Sequence, residues 1–235
     1  MSAVGPSAMV LAAGRGARLQ PLTDIRPKPL LDVGGQSLLE RALEALEQAG
    51  VARVVVNVSW LGSQIIECVR THPTTMELHV QDEGTQRLET GGGICTALPW
   101  LGEQPFLVLN ADVLTDYPLA GLLSRRMSLP AGVLAHLVLV PNPAHNQRGD
   151  FSLRDGRVDN APELTFSGIS LLRPELFAGC TPGTVFPLAD CLRAAAARGQ
   201  VSGECHSGYW NDVGTMDRLQ AARSWAQAHR PAGRA

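Results

Sequence analysis

A four-residue apolar run, Ala8-Met9-Val10-Leu11, opens directly into A-A-G-R-G-A-R-L-Q-P-L-T-D-I-R-P-K-P-L, ending at Leu30. A run of that length reads as a short buried strand. The stretch after it cannot continue as a regular helix, because Pro21, Pro27 and Pro29 remove donors and push the residues before them into extended backbone. The chain therefore leaves its first strand through a long, stiff, turning loop. Gly14 and Gly16 carry no Cβ, so their amides can approach an anion closely. Arg18 and Lys28 add full positive charges on side chains long enough to reach the same anion. Together these groups suit a polyphosphate, such as that of a nucleoside triphosphate. The segment is not a P-loop, since Lys28 lies between two prolines rather than in G-x-x-x-x-G-K-[ST]. Nor is it a dinucleotide fingerprint, because Leu19 stands where a third glycine is required.

Strand-like runs alternate with helical patterns beyond the loop, which predicts βα units and a largely parallel sheet. Ser37-Leu38-Leu39-Glu40 reads as a capping box, and Leu39, Ala42, Leu43, Leu46 and Ala49 recur at helical spacing before Gly50. Strands are predicted over 51–58, 76–80, 105–109, 131–140 and 165–172, and helices over 62–70, 188–198 and 215–228. Residues 151–158 read as a hairpin turning at Asp155-Gly156. No linker composition divides the 235 residues, so a single domain is expected: a nucleotide-binding half over about 8–140 and a second half over about 141–228 on the same sheet. Residues 1–5 and 231–235 read as disordered ends.

The formal net charge is −2 and no basic cluster appears, which argues against a nucleic-acid surface. No stretch has the length of a membrane span and no secretory signal is evident. Five cysteines without a C-x-x-C pair read as scattered, mostly buried thiols of a cytoplasmic protein. The residues do not fix an oligomeric state, and a monomer is the simplest expectation.

Two carboxylates stand out. Asp112 follows the apolar strand ending in Leu109-Asn110, at the carboxyl end of a strand where ligands of open α/β sheets bind. Asp212 lies far downstream in Trp210-Asn211-Asp212-Val213-Gly214-Thr215. With phosphate oxygens they would form a hard-oxygen site for Mg²⁺, although each also reads as an ordinary turn or cap residue. In Glu83-Gly84-Thr85-Gln86-Arg87-Leu88-Glu89-Thr90-Gly91-Gly92-Gly93, three glycines before a helical stretch would let backbone pass close to a flat ligand, or would simply form a flexible loop.

The segment L-A-A-G-R-G-A-R-L-Q-P-L-T-D-I-R-P-K-P-L resembles the signature of the sugar-phosphate nucleotidyltransferases and matches it at every defined position. The resemblance implies a Rossmann-like, mostly parallel sheet flanked by helices (the GT-A-like arrangement), with a small sugar-binding β portion. It implies that Leu11, Ala12, Ala13, Gly14, Gly16, Arg18 and Lys28 meet the nucleotide, with Arg18 and Lys28 catalytic. Asn110, Gly91 and Gly92 join them, and Glu83 accepts from the base imide N–H, a role that other members often give to glutamine. Asp112 and Asp212 are implied as Mg²⁺ ligands.

Asp150, Ser167 and Gly168, in G-D-F and T-F-S-G-I, fall in the implied sugar site. With L-E-T-G-G-G they are most similar to the members that join UTP to N-acetylmuramate 1-phosphate in cell-wall sugar recycling. Guanylyl or thymidylyl transfer to mannose or glucose 1-phosphate is the alternative within the family, and a non-catalytic nucleotide sensor the alternative outside it. One departure stands out: Val158-Asp159-Asn160-Ala161-Pro162 replaces the family's E-K-P, and Lys28 is the only lysine of the chain. Arg148, Arg26 or the metal is left to hold the sugar phosphate. The six histidines read as surface or packing residues, and without a hexapeptide tail acetyltransferase activity is not expected.

Overall fold

A computed structural model describes residues 5–229. In chain order its elements are β1 (Ser7–Leu11), α1 (Leu22–Ile25), α2 (Leu38–Gln48), β2 (Arg53–Val58), α3 (Gly62–Thr71), β3 (Glu77–Asp82), α4 (Glu89–Leu101) and β4 (Phe106–Asn110). There follow β5 (Val113–Thr115), α5 (Leu119–Ser124), β6 (Ala135–Val140), β7 (Phe151–Arg154), β8 (Arg157–Leu172), α6 (Leu188–Ala197), β9 (Val201–Cys205), β10 (Trp210–Asp212) and α7 (Met216–Ala228).

The main sheet has the order β3-β2-β1-β4-β8-β6-β9, with β7 paired to β8. β3, β2, β1 and β4 are parallel neighbours. β8 runs against β4, β6, β7 and β9, so a single reversed strand joins the two halves of a mostly parallel sheet. Its central strands β1, β2, β4 and β6 are apolar on both faces because helices cover both. In β2, Val54, Val56 and Val58 enter the core under α2, α3 and α5, whereas Val55 enters the core under α4 and α6. The period-2 alternation of a strand makes that division.

Helix α2 forms where its pattern predicts. Ser37 Oγ accepts from the Glu40 amide and the Glu40 carboxylate accepts from the Ser37 amide, a complete capping box. Leu39, Leu43 and Leu46 are fully buried against the sheet, each contributing about 1.5–3 kcal/mol. Leu38, on the adjoining face, joins Leu19, Leu31, Val33, Leu114, Val213 and Leu219 in a third core that seats α7 beside the loop that follows β1.

Several expectations shift. The predicted strand 165–172 is the end of one 16-residue strand, β8, that begins at Arg157 just after the predicted Asp155-Gly156 turn. Residues 131–134 precede β6 rather than belonging to it. Gly91, Gly92 and Gly93 lie inside α4, not in a loop before it, because close packing, of Gly91 and Gly92 on the 184–186 segment and of Gly93 on Glu83 and Asn57, outweighs glycine's poor helix propensity. All five cysteines are free, but only Cys95 is fully buried, and Cys205 is exposed. Among the described residues no helix is long and apolar enough to cross a membrane. Of the ends expected to be disordered, residues 1–4 and 231–235 lie outside the described residues, whereas Gly5 is described, close to Ala52.

Candidate active site

The strand order fixes where a site can lie. From β1 the chain steps outward to β2 and β3, then returns to β4 on the other side of β1. Loops leaving the carboxyl ends of β1 and β4 therefore diverge and leave a crevice between them. Leu11 and Asn110 are register partners at those ends, and Asn57 of β2 pairs with Leu11 on its other side. A cleft of about 520 Å³ opens there, lined by Leu11, Ala12, Ala13, Gly14, Gly16, Lys28, Glu83, Asn110 and Asp112 among others. These nine sequence-selected residues are thus brought together.

The loop after β1 is braced from within. Gly16 has φ +68°, and a Cβ there would press at 3.1 Å on both the Lys28 stem and the Thr23 methyl. The Thr23 hydroxyl donates to the Gly16 carbonyl at 3.0 Å, and the Trp60 indole donates to the Thr23 carbonyl at 2.8 Å. The Arg15 guanidinium covers the Trp60 ring at 4.5 Å. Lys28 is thereby held with its side chain only 12% exposed, in an ion pair with Asp112.

Asp212 reaches the same neighbourhood from the far end of the chain. β10 pairs antiparallel with β5, setting Asp212 opposite Val113, and the Val213 amide donates to the Asp112 carbonyl at 2.8 Å. The Asp212 carboxylate takes Arg218 Nη1 at 2.5 Å and His145 Nε2 at 3.1 Å. Arg18 is exposed and outside the cleft lining. Its guanidinium passes beside Gly214, where a Cβ would stand 3.0 Å from Nη2, on the Asp212 side of the loop. Each carboxylate thus already faces a cation, Lys28 for Asp112 and Arg218 for Asp212, and carboxylate oxygens of this kind are the donors that a divalent ion takes together with phosphate oxygens. Among the described residues no cluster of three or more His, Cys, Asp or Glu side chains suits a metal.

Other selected residues are placed differently. The Gly91 and Gly92 amides donate to the Phe186 carbonyl at 2.9 and 3.1 Å, so they hold the 184–186 segment instead of facing the cleft. Asp150 Oδ2 accepts from the Phe166 amide at 2.9 Å and from Asn146 at 3.2 Å, fixing the β7–β8 corner. Ser167 is buried, its hydroxyl accepting from the Ile169 amide and its carbonyl from Trp210 Nε1. Gly168, at φ +81°, lies where β8 slips register, and a Cβ there would run into the Asn110 side chain at 2.6–3.1 Å. These last residues belong to the wall that carries Asn110.

Sequence reasoning missed Asn57, His145 and Arg218. Asn57 had a signal, a lone amide in the β-branched run Arg53-Val54-Val55-Val56-Asn57-Val58. His145 and Arg218 had none, being 67 and 6 residues from Asp212 and joined to it only by folding.

Residues 8–138 match the MobA-like NTP transferase domain. The chain belongs to that nucleotidyltransferase family. Two relatives extend the match to nearly its full length. An N-acetylmuramate alpha-1-phosphate uridylyltransferase of Neisseria meningitidis serogroup B is 47% identical over 94% of this chain and 98% of its own. The protein of the same name from Caulobacter vibrioides is 34% identical over 95% and 98%. Among solved structures, a UDP-glucose pyrophosphorylase from Acinetobacter baumanii superposes with a TM-score of 0.79 at 18% identity, over 97% of this chain and 95% of that one. HddC from Yersinia pseudotuberculosis, complexed with GMP-PN, gives 0.76 at 22% identity, over 94% and 99%. At those identities the likeness is one of fold, and the fold is that of the sugar-phosphate nucleotidyltransferases.

Proposed function

We propose that this nucleotidyltransferase joins UTP to N-acetylmuramate α-1-phosphate, giving the UDP-sugar and pyrophosphate. The reaction would run in the cytoplasm, in recovery of cell-wall sugars. The observation that carries the reading is the 47% identity, over 94% of the chain, to a relative named for that activity. The cleft between β1 and β4 supports it, because it sets Lys28 and Asp112 beside the glycine loop. On this reading residues 8–140 handle the nucleotide and 141–228 the sugar within one domain. Asp150, Ser167 and Gly168 shape the sugar end.

An oxygen of the sugar phosphate attacks the α-phosphorus of UTP. That new O–P bond forms while the bond from the α-phosphorus to the bridging oxygen breaks, and pyrophosphate leaves with the electron pair. The attacking oxygen is already anionic at neutral pH, so the site needs no general base. Catalysis rests on positioning and on neutralising charge. Lys28 holds a fixed positive charge at the reacting phosphates, and Arg18 offers one to the departing pyrophosphate. Asp112 and Asp212 would hold Mg²⁺, which when bound supplies charge neutralisation and alignment at the α-phosphate.

The test is pyrophosphate release across UTP, GTP and dTTP with N-acetylmuramate, N-acetylglucosamine, glucose and mannose 1-phosphates, with Mg²⁺ and with EDTA. Turnover is expected with UTP and N-acetylmuramate 1-phosphate and is lost on chelation. Preference for a guanylyl or thymidylyl donor, or for an unsubstituted hexose, would replace the substrate assignment. UTP binding without release from any sugar phosphate would make the chain a sensor.

A further inference from the structure

Asn57 is 2% exposed at the carboxyl end of β2, and both polar atoms of its side chain are engaged. Its Oδ1 accepts from the Ala12 amide, the first amide of the glycine loop, at 2.9 Å. That contact settles the orientation of the carboxamide, since an N–H can only be met by the oxygen. Nδ2 is therefore turned the other way, and it donates to Glu83 Oε1 at 2.7 Å. The second Glu83 oxygen accepts from the Leu88 amide at 2.9 Å. Helix α4 closes over the pair through Gly93, where a Cβ would stand 2.8 Å from Glu83 Oε1 and 3.0 Å from Asn57 Nδ2.

A donor thus points at each oxygen of residue 83. A glutamine in its place would turn its own NH₂ toward one of those donors and leave two buried N–H groups facing each other. A carboxylate suits the position because it accepts on both sides and retains lone pairs toward the cleft that it lines.

We infer that Asn57 is a positioning residue that dictates glutamate at 83 and presents it to the cleft as a pure acceptor. This inference rests on the reading of the cleft as a nucleoside triphosphate site. The ligand class it selects is a nucleobase with a ring N–H to donate, as in uracil, thymine or guanine. Cytosine and adenine offer a ring-nitrogen lone pair at the corresponding edge, which a carboxylate repels. Because Asn57 also holds the Ala12 amide, base selection and the geometry of the phosphate loop share one side chain.

The polarity of the network can be reversed by combining Asn57→Asp with Glu83→Gln. In the double variant the carboxylate introduced on β2 accepts from the Ala12 amide and from the introduced glutamine NH₂, while the glutamine oxygen accepts from the Leu88 amide. Asn57→Asp alone places two carboxylates together, and Glu83→Gln alone opposes two donors.

Equilibrium binding of UTP and CTP by calorimetry tests this on the wild type, both single variants and the double variant. Expected is UTP bound in clear preference to CTP, each single change weakening UTP by at least about tenfold, and the double variant recovering to within about threefold of wild type. Circular dichroism melts show whether each protein is folded. Should a single variant fail to fold, recovery of both fold and UTP binding in the double variant supports the inference equally. Additive losses in the double variant, or equal binding of UTP and CTP by the wild type, overturn it. Failure of the wild type to bind any nucleoside triphosphate would instead overturn the functional reading beneath it.

Discussion

Replacing Lys28 with alanine separates the chemistry of the cleft from its architecture. Lys28 is the only lysine in the chain, so no neighbouring ammonium can take over. Its side chain is 12% exposed and its partner Asp112 is 30% exposed, so the ion pair is partly screened by water. Breaking it leaves a carboxylate that solvent still reaches, and the expected loss of stability is only about 1–2 kcal/mol. For a chain of this size that lowers Tm by roughly 2–8 °C. The loss in rate is expected to be much larger. A fixed charge aimed at a developing anion in a preorganised site is worth about 3–4 kcal/mol, or about a hundred- to thousand-fold in turnover. Initial rates of pyrophosphate release, beside a thermal melt of the same preparation, measure both terms. A variant that melts within that window and has lost at least about a hundredfold in rate fits the mechanism. Near-normal turnover refutes it, and collapse of the fold would show that Lys28 holds the loop in place as well.

Three further outcomes are expected from other parts of the molecule. Gly168→Ala forces a side chain into the left-handed region and against Asn110. A loss of about 2 kcal/mol is expected, seen as a Tm lower by roughly 4–8 °C, together with weaker turnover from a displaced Asn110. Ser37→Ala removes half of the α2 capping box, for about 1 kcal/mol and a few degrees of Tm. Ser37→Thr, whose hydroxyl can still accept from the Glu40 amide and donate to the Glu40 carboxylate, should retain most of the stability, and neither change should alter turnover at room temperature. Burial holds the His136 pKa below its ordinary value, against the opposing pull of Glu204. The folded state therefore resists a proton that the unfolded chain accepts, so the stability linked to His136 is present above about pH 6.5 and is lost as pH falls through the depressed folded value. Thermal melts at about pH 7 and about pH 5 should show a smaller drop for His136→Gln than for wild type. An equal drop in the two proteins would assign the acid sensitivity elsewhere.

Legibility differs from element to element, for physical reasons. Helix α2 is plain because its cap, its apolar stripe and its stop all lie within fifteen residues. Strand β8 reads as two pieces because Asp159-Asn160-Ala161-Pro162-Glu163 looks like a loop, and it is held in the strand by contacts from elsewhere: β7 pairs on either side of it, at Asp159 and Leu164, and Asn160 donates to the Arg193 carbonyl. Gly91, Gly92 and Gly93 read as preceding a helix because glycine is a poor helix former. Their reason for being helical is what packs against them: the 184–186 segment, about ninety residues away in sequence, on Gly91 and Gly92, and Glu83 with Asn57 on Gly93.

By itself the sequence determined the parts on which the proposed chemistry rests: a glycine loop after a strand, a lone lysine held between prolines, and a carboxylate at the end of the fourth strand. Each is a local pattern, because a backbone anion site and its point charges are built from neighbouring residues. Tertiary structure alone decided how those parts became one cleft. The return of the chain to β4 beside β1 opened the crevice, the β5–β10 ladder carried Asp212 to Asp112, and the amide of Asn57 tied Ala12 to Glu83. Such contacts depend on strand order and register, and on which face of a strand a side chain leaves from, so no stretch of neighbouring residues encodes them.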